Sequence, residues 1–221
     1  MAKVGSSVSK GSQTRSAILD AALGIASRDG LEGLSIGMLA EALGMSKSGV
    51  FAHFGSREDL QIAVIDDYAR KFLDAVFFPV LKLPRGLPRL KAMFENWLHR
   101  VQTIEIPNGC VFISGAVEFD DRPGPVRERM VEVNRGWQGE MRKAARQAID
   151  CGHLSAGCDP EQLVFELYGV MLALHHDARL LRDSRAVERA RRAFDRSAAF
   201  YATGTNAART ASGRTTEIIA A

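Results

Sequence analysis

Apolar residues recur every three or four positions along most of this chain, the spacing of one face of a helix. In "TRSAILDAALGIASRDG", Ile18, Ala21, Ala22 and Ile25 fall at i, i+3, i+4 and i+7, with Ser12 or Thr14 placed to cap the start and Gly30 to stop the run. "LSIGMLAEALG" repeats the pattern over a shorter length, with Ser35 as N-cap, Ile36, Leu39, Ala40 and Leu43 on one face, and Gly44 where a left-handed terminator belongs. Ser46 opens a third helix whose inward pair is Val50 and Phe54, and Gly55 breaks it. Ser56 opens a fourth, with Asp59 three residues on for a reciprocal cap, and the pattern then runs to Pro79.

Further helices are predicted over "LKAMFENWLHRVQTI", the shorter "CVFISGAVEF", and the long amphipathic "VRERMVEVNRGWQGEMRKAARQAIDCG" after a "DDRPGP" loop. "CDPEQL" signals another start: Asp159 as cap, Pro160 in the first position and Gln162 in the third. Leu163, Leu167, Val170 and Leu174 line that helix, and a last one carries Val187, Ala190, Phe194 and Ala198. No alternating pattern suggests a strand. The expected class is all-α: an N-terminal three-helix domain followed by a larger helical domain.

Composition adds little to this and excludes several alternatives. The chain has 221 residues, 46% hydrophobic and 25% charged, as ordinary globular proteins do. No stretch reaches the ~20 apolar residues that span a bilayer, and the N-terminus lacks the apolar core of a secretory signal. Three cysteines, Cys110, Cys151 and Cys158, have no framework spacing, which suits a reducing cytoplasm. The net charge is +3; residues 1–60 carry six basic and six acidic side chains, but Lys3, Lys10 and Arg15 all precede the first acid, Asp20. The opening is therefore a small basic arm.

Two short helices joined by a glycine-containing turn, with apolar positions at Ile36, Leu39, Ala40, Leu43, Val50 and Phe54, form a helix-turn-helix. Its second helix must present short or flexible donors outward, which Lys47, Ser48 and Gly49 supply, while Val50 and Phe54 lock it inward. The caps Ser35, Ser46 and Ser56 mark helix N-termini whose N–H groups can approach phosphates. From "TRSAILDAALGIASRDGLEGLSIGMLAEALGMSKSGVFAHFGSREDL" the chain resembles the DNA-binding domain of the TetR/AcrR family of bacterial transcriptional regulators, most specifically in "GMSKSGVFAHFGSREDL". The helical remainder resembles effector domains of that family.

The resemblance implies DNA contact by Lys47, Ser48 and Gly49, phosphate contact by His53 and Arg57, and backbone contact at Ser35 and Ser46. Phe51 stands where the family usually has tyrosine, so it cannot donate to a phosphate but can pack on sugar or a thymine methyl. The resemblance also implies a homodimer built on the last two helices, an inverted-repeat operator in double-stranded DNA, a small-molecule effector and, most commonly, repression. Domains are expected at 1–11 (flexible basic arm), 12–55 (DNA-binding), 56–203 (effector-binding and dimerisation) and 204–221 (disordered tail). Trp97, Phe112 and Trp137, on three different helices, are the ligand-pocket candidates, against the plainer reading of core aromatics.

An enzyme is the rival class, beside a protein-interaction module with a degenerate DNA-binding head. "CGHLSAGC" and "LHHD" offer Cys151, His153, Cys158, His175, His176 and Asp177, yet neither C-x₂₋₄-C pairs nor H-E-x-x-H occurs. Motifs for nucleophilic catalysis, phosphate loops and dinucleotide binding are also missing. No catalytic residue, metal site, cofactor or membrane partner is expected, and "RARR" at Arg189–Arg192 reads as the solvated side of the last helix.

Overall fold

The structure, a computed structural model, describes residues 10–202. The expected tail, 204–221, and most of the expected arm, 1–11, lie outside the described residues. Among the described residues ten α-helices follow in order: α1 Lys10–Asp29, α2 Ile36–Leu43, α3 Lys47–Phe54, α4 Arg57–Val76, α5 Leu87–Arg100, α6 Ile106–Asn108, α7 Val111–Phe119, α8 Pro125–Asp150, α9 Pro160–His175 and α10 Ala186–Tyr201. No strand occurs among the described residues, and the chain is all-α. Their contacts divide into two compact units: one from the described residues up to Lys71 with Asn108–Asn134, the other from Phe72–Pro107 with the residues from Arg135 onward. Helices α4 and α8 contribute to both.

In the first unit, α1 begins at Lys10, so neither Ser12 nor Thr14 caps it; Thr14 Oγ1 instead donates back to the Lys10 carbonyl at 3.0 Å. Its buried stripe is Ile18, Leu19, Ala22, Ile25 and Ala26. Gly30 ends the helix at φ +81°, and a Cβ there would collide with the Glu118 carboxylate. Gly44 terminates α2 in the left-handed conformation, at φ 62°. Leu31, Leu34, Leu39, Val50, Leu60, Val64 and Ile65 fill the core between α1, α2, α3 and α4. Helix α7 adds Phe112, whose ring meets Tyr68 edge-on at 4.7 Å, and the Tyr68 hydroxyl reaches Cys110 Sγ at 3.4 Å.

The second unit is built on α5, α9 and α10. Phe94 of α5 stacks on Phe194 of α10 at 4.7 Å, and the bidentate pair Arg191–Glu95 closes the rim of that contact. Asp159 caps α9 by accepting from the Glu161 N–H, with Pro160 in the first position; Gln162 turns away from the cap and donates to Glu166. The buried face of α10 is Ala186, Ala190, Phe194 and Tyr201, with Val187 and Ala198 only half-buried. The arginines of "RARR" are solvent-facing, as the periodicity implies.

Two single-turn π-helices, Val101–Glu105 after α5 and His176–Leu180 after α9, adjoin a buried polar cluster. Arg100 Nε donates to Glu105 Oε1 at 3.0 Å, and Glu105 Oε2 lies 2.6 Å from His175 Nε2. His175 Nδ1 faces the Met171 carbonyl at 2.8 Å, an oxygen that only accepts, so this nitrogen carries a proton. The positions of Cys151 and Cys158 at adjoining helix ends predict two buried thiols, and the structure corrects one of them. Cys158 is buried, its thiol pushed up to about 11 by burial and by the charges of Asp159 and Glu166, but Cys151 is exposed rather than packed.

Candidate nucleic-acid interface

The reading helix α3 is fixed from both ends. Ser46 Oγ accepts from the Gly49 N–H at 3.0 Å, and Val50 and Phe54 are buried beneath it, with Arg15 of α1 over the Phe54 ring at 5.0 Å. The outward face is then Lys47, Ser48, Phe51 and Ala52, all exposed. Ser48 Oγ lies 3.1 Å from Ser46 Oγ, which orders both hydroxyls at the start of the helix. Phe51 is 51% exposed and lies on this outer surface.

Lys47 does not point freely into solvent. A Cβ placed on Gly37 would sit 3.4 Å from Lys47 Cε, 3.8 Å from Lys47 Nζ and 3.9 Å from Ser35 Oγ. The ammonium of α3 and the capping hydroxyl of α2 therefore both border the bare backbone at Gly37. Ser35 itself accepts from the Met38 N–H at 3.2 Å, satisfying one of the free N–H groups at the positive end of α2. Gly37 was not singled out from sequence; a glycine inside the first turn of an otherwise good helix was the signal, since it costs stability unless something needs the space.

Arg57 and His53 are placed differently from the α3 donors. Arg57 turns back: its Nε donates to the Leu34 carbonyl at 2.9 Å, its Nη2 to the Glu32 carbonyl, and its guanidinium lies 3.5 Å from the Glu32 carboxylate. It staples the start of α4 to the loop before Ser35. His53 is half-buried at the end of α3 and faces a groove of about 520 Å³ lined also by Arg15, Asp59, Asp66, Asp67 and Arg70. Ser56 and Asp59 do form a reciprocal pair, the Asp59 N–H donating to Ser56 Oγ at 3.0 Å and the hydroxyl to Asp59 Oδ2 at 2.6 Å.

Beneath this surface, burial pushes the Asp67 carboxyl up, but hydrogen bonds and charge from Lys71 and Arg70 outweigh it and hold the group below the usual aspartate range. Lys71 bridges Asp67 at 2.8 Å and Asp20 at 2.7 Å, tying α4 to α1.

Trp97 and Trp137 share one cluster in the second unit, ring centroids 5.6 Å apart and nearly perpendicular, with Phe72 edge-on to both and Tyr168 5.7 Å from Trp97. Trp137 Nε1 is buried and meets no acceptor among the described residues. Phe112 belongs to the first unit, against Tyr68.

A capped two-helix reader with an exposed polar face, carried on an all-helical chain, defines a DNA-binding regulator. Residues 18–64 match the profile described as bacterial regulatory proteins, tetR family, and residues 86–194 match the tetracyclin repressor-like C-terminal domain. The chain belongs to the TetR family of transcriptional regulators, and its role is regulatory rather than enzymatic. It is 21% identical over 174 residues to the HTH-type transcriptional regulator SrpR of Pseudomonas putida, covering 79% of each chain. The fold is also that of a TetR-family regulator from Cytophaga hutchinsonii (TM-score 0.75, 18% identity, 89% of this chain and 98% of that one). A TetR regulator from Chloroflexus aurantiacus matches with a TM-score of 0.73 at 24% identity, over 86% of this chain and 95% of that one.

Proposed function

We infer that the protein is a homodimeric repressor that binds an inverted-repeat operator and leaves it when a small molecule occupies the second unit. The observation that carries the DNA part is the convergence of Lys47 Nζ and Ser35 Oγ over Gly37. A phosphate oxygen at that point receives a cation and lies by the positive end of α2. That anchors α3 so that Ser48 and Phe51 meet base edges, Phe51 against a thymine methyl. Gly49 lets the backbone come close, and His53 and Arg57 flank the contact, Arg57 by fixing the loop that carries Ser35.

The dimer reading rests on α9 and α10. Phe165, at 74% exposure, and Leu172 form an exposed apolar stripe on α9, with Gly169 opening onto empty space between them, and Phe200 of α10 is also exposed. Two such faces make a four-helix interface with C₂ symmetry, which sets two α3 helices about 34 Å apart on successive major grooves. The effector reading rests on the Phe72, Trp97, Trp137 and Tyr168 cluster and on the unanswered Trp137 N–H, which would suit an apolar molecule carrying one acceptor. Phe72 lies on α4, the helix that begins at Arg57, so a ligand there biases the head through a continuous helix. DNA and ligand affinities are then reciprocally coupled, with about 2–3 kcal/mol giving thirty- to hundredfold release. Such a protein works in the cytoplasm.

The test is selection from sheared genomic DNA at physiological salt with competitor, using wild type and Lys47→Ala. Recovery of one inverted repeat by wild type and its loss in the variant is the expected result. No enrichment by a folded dimer, or equal enrichment by Lys47→Ala, would overturn the assignment of the reader.

A further inference from the structure

A second basic surface of the first unit lies outside the helix-turn-helix. A groove of about 400 Å³ is lined by Ser56 and Arg57 from the start of α4 and by Arg122, Gly124 and Arg127 from the turn into α8. Two long helices thus open at one place, where first-turn N–H groups lie outside the helical ladder and the dipoles present their positive ends. Three guanidinium groups face two carboxylates, those of Glu32 and Glu58.

The arginines are held rather than loose. Glu32 lies 3.0 Å from Arg122 Nη1 and 3.5 Å from Arg57 Nη2, so one carboxylate orients two cations. Arg127 Nε donates to the Asp120 carbonyl at 2.9 Å, and Arg122 lies over the Phe119 ring at 5.9 Å. About half of the Arg57 and Arg122 side-chain surfaces still meet solvent, at 48% and 58%. The surface is continuous with the reader: Arg57 bonds the Leu34 carbonyl, the residue before the cap of α2, and in a helix-turn-helix the first helix crosses the DNA backbone.

We propose that Arg122 and Arg127, beside Arg57, form a DNA-backbone site that binds phosphates flanking each operator half-site, contributed by a segment remote in sequence from the helix-turn-helix. The proposal rests on the DNA-binding reading above. It requires an extended polyanion rather than a single small anion, because the cations are spread along an open groove contiguous with α2.

The experiment measures binding of the full-length protein to the recovered inverted repeat against salt, on duplexes that end at the half-sites and on duplexes one helical turn longer at each end, about 10 base pairs. Each phosphate neutralised contributes about 0.9 to the log–log salt slope and the dimer carries two copies of each arginine, so Arg122→Gln/Arg127→Gln should lower the slope by about 4 on the long duplex. Wild type should lose the same amount on the short duplex, and the double variant should lose nothing further. Arg122→Lys/Arg127→Lys, which keeps both charges, should retain the wild-type slope; sequence preference should not change in any variant. An unchanged slope in the Gln variant, or equal wild-type binding to both duplexes, would overturn the proposal. So would weaker binding at an unchanged slope, which marks a packing role. Should the Gln pair fail to fold, the single Arg122→Gln variant carries the test, with an expected slope loss of about 2 for its two copies in the dimer. Inhibition by inorganic phosphate equal on both duplexes would instead assign the groove to a free anion. Failure of wild type to select any DNA would be a failure of the underlying reading, visible before these comparisons begin.

Discussion

At the residue scale, most of the reader's placement follows from caps and small residues, each acting over one helical turn. Ser35, Ser46 and Ser56 all accept the N–H three positions on, the bond that their residue type and position imply. Charged residues obey longer-range rules. Asp67 is held ionised by Lys71 and Arg70, and its carboxyl sits below the ordinary value of 3.8. A depressed carboxylate contributes stability that is complete above its unfolded pKa and is lost as pH falls through the folded one. Urea midpoints of wild type and Asp67→Asn should therefore differ at pH 7 and converge as pH drops below about 4. A gap that persists unchanged into acid would show that the pair with Lys71 contributes nothing.

At the element scale, the interruptions are more informative than the helices. The two π-turns follow directly on Arg100 and His175, the outer members of the buried cluster around Glu105, all three at most 5% exposed. A π-turn shifts the register of the residues after it, and here Glu105, five residues beyond Arg100, still reaches that guanidinium. Removing one member of a buried pair leaves an uncompensated charge. Glu105→Gln should lower unfolding free energy by about 3–5 kcal/mol, read from chemical denaturation, with Arg191→Gln, on the exposed rim, changing it by less than about 1 kcal/mol. Equal effects of the two would place the Arg100–Glu105 pair among the weak surface bridges.

At the scale of the whole molecule, the proposed operator selection calls for two copies, since one short reader neutralises too few phosphates to select a site. Gly169 lies at the middle of the exposed α9 stripe with nothing near its missing Cβ, so a side chain there is tolerated by the monomer. Gly169→Arg should run as a monomer in light scattering, retain its helical circular dichroism, and lose operator selectivity while keeping salt-sensitive non-specific binding. A dimeric Gly169→Arg would exclude this stripe as the interface.

The helices, their caps except that of α1, and the helix-turn-helix were legible in the sequence because each is set within a few residues by periodicity, hydrogen-bonding side chains and glycines at left-handed positions. The inward Val50–Phe54 pair, the Gly44 terminator and the Asp159–Pro160 start lie where that reading puts them. Helix phase was less secure: α10 buries Ala186 and Tyr201 where spacing pointed to Val187 and Ala198, because partner helices, not the pattern alone, choose the contact line. Tertiary structure alone decided that Phe51 faces out, that Arg57 turns back onto the Glu32–Leu34 carbonyls, that Cys151 is exposed, and that Phe112 meets the Tyr68 ring. It alone brought Arg122 to Glu32, 90 positions away in the chain. The physical reason is common to these cases. Local sequence specifies which face of a helix is apolar, whereas the partner of a long charged or aromatic side chain is chosen by whatever the fold carries within its reach.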